Sequence, residues 1–105
     1  MTLPANDCLL TLNIPEALEE ALVDLLLENP ALASGFTTLN IDGHGPSETT
    51  ISASDQVRGR RARIQFQIVL ARQNSAELLD RVRAQMPSRE IFYWIAPLLE
   101  TGRLL

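Results

Sequence analysis

The densest chemistry in the chain is the run Arg58-Gly59-Arg60-Arg61-Ala62-Arg63, four arginines in six residues around one glycine. A guanidinium presents a planar fork of donors that matches phosphate or carboxylate oxygens two at a time, and glycine lets a backbone approach an anion closely. That chemistry is anion recognition, with Arg58, Gly59, Arg60 and Arg61 as candidate contacts. An equally weighted reading leaves these arginines to solvent or to the chain's own acidic surface, Glu48 and Asp55 included. The single histidine, His44, stands between Gly43 and Gly45. It is a candidate metal ligand if Asp42, Glu48 or a neighbouring subunit completes the set, although no spacing matches a structural zinc site.

The other reactive side chains offer less. Cys8 is the only cysteine and has no internal disulfide partner. The local alternation puts it on the helix-facing side of a strand, where a thiol acts as a small apolar group. Tyr93 falls on a helix-facing position too, which argues against a catalytic phenol. Residues 13–20, Asn-Ile-Pro-Glu-Ala-Leu-Glu-Glu, lack the glycines and arginine of a phosphate cradle. No nucleophile stands beside a base, so a non-enzymatic protein is expected.

Composition narrows the partners. Apolar residues make up 46% and charged residues 21% of 105, as in an ordinary globular domain. Nine basic residues, all arginine, against thirteen acidic ones give a net charge of -4. That balance argues against wrapping nucleic acid or lying on an anionic membrane. No apolar run approaches the roughly 20 residues that span a bilayer. The first seven residues lack a basic stretch leading into an apolar one, so a cytoplasmic single domain over 1–105 is expected.

The elements that must carry these residues follow from periodicity. Residues 8–14 alternate as a strand, and Pro15 opens a helix with Glu16, Glu19 and Glu20 near its positive end. Leu18, Leu22, Leu25 and Leu26 form its stripe, and Asn29-Pro30 stops it. A second strand is predicted over 36–42, with Thr37, Leu39 and Ile41 on one face. A long loop follows over 43–61, and such loops in compact domains are usually functional. Residues 62–71 alternate most cleanly, with Ile64, Phe66, Ile68 and Leu70 against Arg63, Gln65, Gln67 and Val69. Asn74 and Glu77 suggest a capping box for a helix carrying Leu78, Leu79, Val82 and Met86, closed by Pro87. A last strand over 90–96 is apolar on both faces.

This βαββαβ order predicts an α+β ferredoxin-like sandwich, a four-stranded antiparallel sheet with strands 1 and 3 central and two helices on one face. The helix-facing set is Leu10, Leu12, Leu39, Ile41, Ile64, Phe66, Ile68, Ile91, Tyr93 and Ile95. The open face would hold Phe92 and Trp94 on an edge strand, with Leu9, Val69 and Phe36, around a polar centre of Thr11, Asn13, Gln65 and Gln67. Its central strands lack the aromatics of an RNA-binding sheet. An apolar edge strand invites association. A homo-oligomer with Phe92, Trp94, Gln65 and Gln67 in its interface is therefore expected, the alternative being a tail, 97–105, folded back over Trp94.

Over nearly its whole length the chain resembles the PII/CutA group of ferredoxin-like trimers. The likeness lies in this layout and in Met86-Pro87-Ser88-Arg89-Glu90-Ile91, which is similar to the Pro-x-x-Pro-Glu-Ile entry of CutA proteins with Arg89 replacing a proline. Leu9-Leu10-Thr11-Leu12, the run 18–24, Gly43-His44-Gly45, 56–61, Tyr93-Trp94 and 99–104 resemble, more closely still, a small bacterial family of unknown function within this group. That family is often encoded beside heavy-metal efflux pumps of the resistance-nodulation-division class. The resemblance implies a trimer with inward-facing sheets and clefts between subunits. The loop 43–61 would then sense a ligand and dock on a transporter or enzyme, making this a PII-like regulatory protein acting on a metal-efflux transporter. In PII proteins an adenine nucleotide sits at the base of that loop, held partly by a glycine-rich stretch before strand 4. Here that stretch is Gln85-Met86-Pro87-Ser88-Arg89, without glycine. The resemblance instead suggests an anion site across a subunit boundary from Arg89 with Arg58, Arg60 and Arg61, and Gly43 at the loop's start. Its CutA branch implies a divalent metal ion at His44 as the alternative, and a purely structural trimer is a third.

Overall fold

The computed structural model describes residues 6–43 and 61–105. The Arg58–Arg60 part of the basic run and His44 lie outside these residues. The elements are β1 (Cys8–Pro15), a short 3-10 turn (Glu16–Leu18), α1 (Glu19–Leu27), β2 (Thr37–Gly43), β3 (Arg61–Leu70), α2 (Arg72–Gln85) and β4 (Phe92–Pro97). The strands form one antiparallel sheet in the order β2-β3-β1-β4. This is the ferredoxin-like arrangement, with β1 and β3 central and β4 at an edge.

Alternation in the central strands builds the core. Leu10, Leu12 and Ile14 of β1 and Phe66 and Ile68 of β3 are fully buried against Leu22, Leu25 and Leu26 of α1 and Leu78, Leu79 and Val82 of α2. Burying one such side chain contributes about 2 kcal/mol. Pro15 ends β1 in an extended conformation, and Glu19 and Glu20 open α1 where the helix dipole favours negative charge. Asn29 closes that helix, its side-chain amide donating to the Leu25 carbonyl at 2.7 Å.

Three sequence expectations are corrected. First, the register puts Thr37, Leu39 and Ile41 opposite Gln67, Gln65 and Arg63. Leu39 and Ile41 therefore belong to the open face, while Thr38 and Asn40 take the helix side. A strand's alternation is the same whichever face it presents, and only pairing with β3 fixes it. Second, Phe36 leaves the open face and stacks on Phe66, ring centroids 5.8 Å apart. Third, α2 starts at Arg72, and the Asn74–Glu77 box does not form its cap. The Arg72 N–H donates to the Asp7 carboxylate at 3.1 Å, so the capping group comes from the residue that precedes β1.

The tail does not return to Trp94. The Leu98 N–H donates to the Asp7 carbonyl at 2.9 Å and the Thr101 hydroxyl to the Asn6 carbonyl at 3.0 Å. These bonds lead the segment past the start of β1, leaving Leu99, Leu104 and Leu105 fully exposed.

Candidate ligand and assembly face

The loop's root is a strand pair, Gly43 opposite Arg61 at the shared end of β2 and β3. On the open face beside it lies Arg63, whose register partner on β1 is Pro15. Its side chain is only 7% exposed, and its guanidinium reaches across the end of β1 toward β4. One terminal nitrogen donates to the Glu90 carbonyl at 2.7 Å and the other to the Glu90 carboxylate at 2.8 Å. The guanidinium carbon sits 5.7 Å from the centre of the Phe92 ring, within cation–π range.

Gly43 serves this arrangement. A Cβ at that position would lie 2.9 Å from both Cδ and Nε of Arg63. Any side chain there would push on an arm fixed at its far end by two hydrogen bonds. Gly43, a candidate ligand contact by its place in the sequence, packs against Arg63. Arg63 also parts from the rest of the arginine run, since it is committed to Glu90. No local pattern reveals this pairing, because Glu90 is 27 residues further along the chain. Arg89 is exposed in the turn immediately before Glu90, so the latch formed by Arg63 and Glu90 carries it at the same end of the sheet as the Gly43–Arg61 pair.

Beyond the latch, the open face has an ordered polar row. Gln65 donates to Asn13 at 3.0 Å and Gln67 donates to Gln65 at 3.1 Å. Thr11 lies buried beside them, opposite Trp94. Apolar groups flank this row on both sides. Phe92 is 55% and Trp94 47% exposed on β4, with Leu39 of β2 43% exposed and Val69 of β3 also in solvent. The corrected register of β2 therefore enlarges the apolar surface expected from sequence. On the helix side, Tyr93 and Ile95, expected in the core, are half-exposed and line a hollow with Ser75, Ala76 and Arg83 of α2.

Cys8 is buried, and burial together with the neighbouring Asp7 carboxylate pushes its thiol above the ordinary range. A thiolate is disfavoured there, which agrees with a packing role. Among the described residues, no three His, Cys, Asp or Glu side chains converge to hold a metal ion. Nor, among those residues, is any helix long and apolar enough to cross a membrane.

The four-stranded antiparallel sheet in the order β2-β3-β1-β4 with two helices is the fold of PII-like and CutA proteins. The family described as protein of unknown function (DUF3240) matches residues 4–105, and the chain belongs to it. A DUF3240 protein of Shewanella baltica OS155 has 26% identity and a TM-score of 0.77, covering 96% of this chain and 99% of that one. A nitrogen regulatory PII-like protein of Thiomonas intermedia K12, CPII, solved with ADP, AMP and bicarbonate, has 17% identity and a TM-score of 0.69 over 94% of this chain and 96% of its own. A point mutant of CutA1 from Pyrococcus horikoshii OT3 has 12% identity and a TM-score of 0.69 over 90% of this chain and 86% of its own. No curated protein sequence matches this chain.

Proposed function

We propose that this chain is a non-enzymatic PII-like regulatory protein, a homotrimer whose open sheet faces pack inward and whose clefts bind a small anionic ligand such as an adenine nucleotide. The loop between β2 and β3 reports ligand occupancy to a membrane transporter, with heavy-metal efflux as the cargo pathway and the cytoplasm as the site of action. The observation that carries this reading is the open face. Phe92 and Trp94 stand half in water beside a hydrogen-bonded Asn13–Gln65–Gln67 row. A surface with oriented polar groups at its centre and aromatics at its rim suits a specific protein interface.

Support for an anionic ligand comes from the arginines that the sequence concentrates at 58–61 and from Arg89 at the same end of the sheet as the loop's root. The structurally similar CPII, solved with ADP, AMP and bicarbonate, suggests the ligands to try. Titration calorimetry with ADP, AMP, bicarbonate and a divalent cation series tests the reading. Saturable heat with a nucleotide or bicarbonate is expected, weakened at least about tenfold by the double change Arg58→Ala and Arg60→Ala, since charge-assisted bonds contribute about 1.5–3 kcal/mol each. Binding of a divalent cation alone, abolished by His44→Ala, would replace this reading with a metal-binding protein.

A further inference from the structure

The helix side of the sheet is not closed where α2 passes β4. A cavity of about 110 Å³ opens there, walled by Leu12, Leu79, Val82, Met86, Ile91 and Tyr93. A wider hollow of about 300 Å³ adjoins it, lined by Arg72, Asp80 and Arg83 of α2 and by Tyr93 and Ile95 of β4. Leu79, Arg83 and Tyr93 line both, so the two run on as one groove, apolar at one end and charged at the other. Its floor is firm, since Leu12 is fully buried and pairs in register with Tyr93.

The charged end has donors to spare. The Arg83 guanidinium lies 5.9 Å from the centre of the Tyr93 ring, and its Nη1 donates to the Asp80 carboxylate at 3.0 Å. Among the described residues, Arg83 Nη2, the Arg72 guanidinium and the Tyr93 hydroxyl have no hydrogen-bond partner. Two guanidiniums and one carboxylate leave a single positive charge to be matched. A guanidinium fork fits a carboxylate, and one surplus charge matches a monoanion better than a nucleotide phosphate chain. The apolar end suits an aliphatic group. It is smaller than the cavity of about 150 Å³ that takes up benzene, and the unbranched Met86 in its wall adapts to an irregular occupant.

We propose that the groove between α2 and β4 binds an aliphatic monocarboxylate, its head on Arg83 and Arg72 and its chain between Leu79, Met86 and Tyr93. The site lies on the helix side of the sheet, opposite the face that carries the Arg63–Glu90 latch, and does not depend on the anion reading given above.

The test titrates octanoate into the full chain by calorimetry and follows carbon-13 methyl spectra. Saturable heat is expected, with shifts at the methyls of Leu79, Met86 and Ile91. Octylammonium, the same chain with the opposite head, should bind at least about tenfold more weakly. Arg83→Gln, an exposed change checked for an unaltered melting temperature, should weaken octanoate at least about tenfold. Arg81→Gln, on the same helix outside the groove, should leave the affinity as it is. No saturable heat, equal affinity for octylammonium, indifference to Arg83→Gln, or shifts confined to Leu39 and Val69 of the open face would each overturn the site. Saturating ADP should leave octanoate binding unchanged, whereas competition between them would overturn the groove as a separate site. Failure of ADP to bind, with octanoate still held by Arg83, would sink the nucleotide reading and leave this one standing.

Discussion

Arg63 shows how one side chain changes the meaning of a sequence cluster. In the linear chain it is the last of four arginines; in the fold it is nearly dry, fastened to Glu90 by two hydrogen bonds and passing 2.9 Å from where a Cβ on Gly43 would stand. Charge-assisted hydrogen bonds of this kind contribute about 1.5–3 kcal/mol. Replacing Arg63 by Met should lower the urea-unfolding free energy by about 2 kcal/mol. A double-mutant cycle with Glu90→Gln should return a coupling of about 1 kcal/mol or more, whereas independent sites would simply add. Cys8 gives a second test at this scale. Because burial and Asp7 raise its thiol, the folded protein holds that proton at a pH where the unfolded chain has released it. Stability should therefore fall as pH climbs through the ordinary thiol range. Modification by a disulfide reagent near pH 8 should be slow in the native protein and fast once denaturant unfolds it.

At the level of elements, the termini of helices and the faces of strands separate what is local from what is not. The stripes of α1 and α2 were legible because helical periodicity needs only near neighbours, and Leu22, Leu25, Leu26, Leu78, Leu79 and Val82 are buried as expected. The start of α2 was not legible. Its cap is Asp7, 65 residues away, bound to the Arg72 amide. Asp7→Ala should cost about 1 kcal/mol, the usual loss for a carboxylate cap, read as a shift in the urea midpoint with an unchanged slope. The substitution leaves the Asp7 carbonyl in place to accept from Leu98, so the effect belongs to the carboxylate. For β2, the alternation was visible but its phase was not, and Leu39 and Ile41 moved to the open face as a result.

For the whole molecule, the central fact is an imbalance between the two sides of one sheet. The helix side closes around Phe66 and the leucines. The other side leaves Leu39, Val69, Phe92 and Trp94 in water around an ordered row of amides. An edge strand this apolar is ordinarily covered or blunted. The proposed trimer and its ligand clefts answer that imbalance; the mass of the protein in solution tests the first and calorimetry the second. The family match assigns the chain to DUF3240 and the similar solved structures give the class of fold, while the proposed ligand rests on the arginines and on calorimetry.

Order and number of strands and helices, the buried leucine stripes and the aromatic character of β4 were set by residue pattern alone, because hydrophobic period is a property of near neighbours. Which way β2 faces, that Arg63 belongs to Glu90, that Gly43 makes room for it, and that Asp7 caps α2 were decided only in three dimensions. Each depends on a partner tens of residues distant, and no local pattern encodes which of several carboxylates a folded sheet will bring within reach.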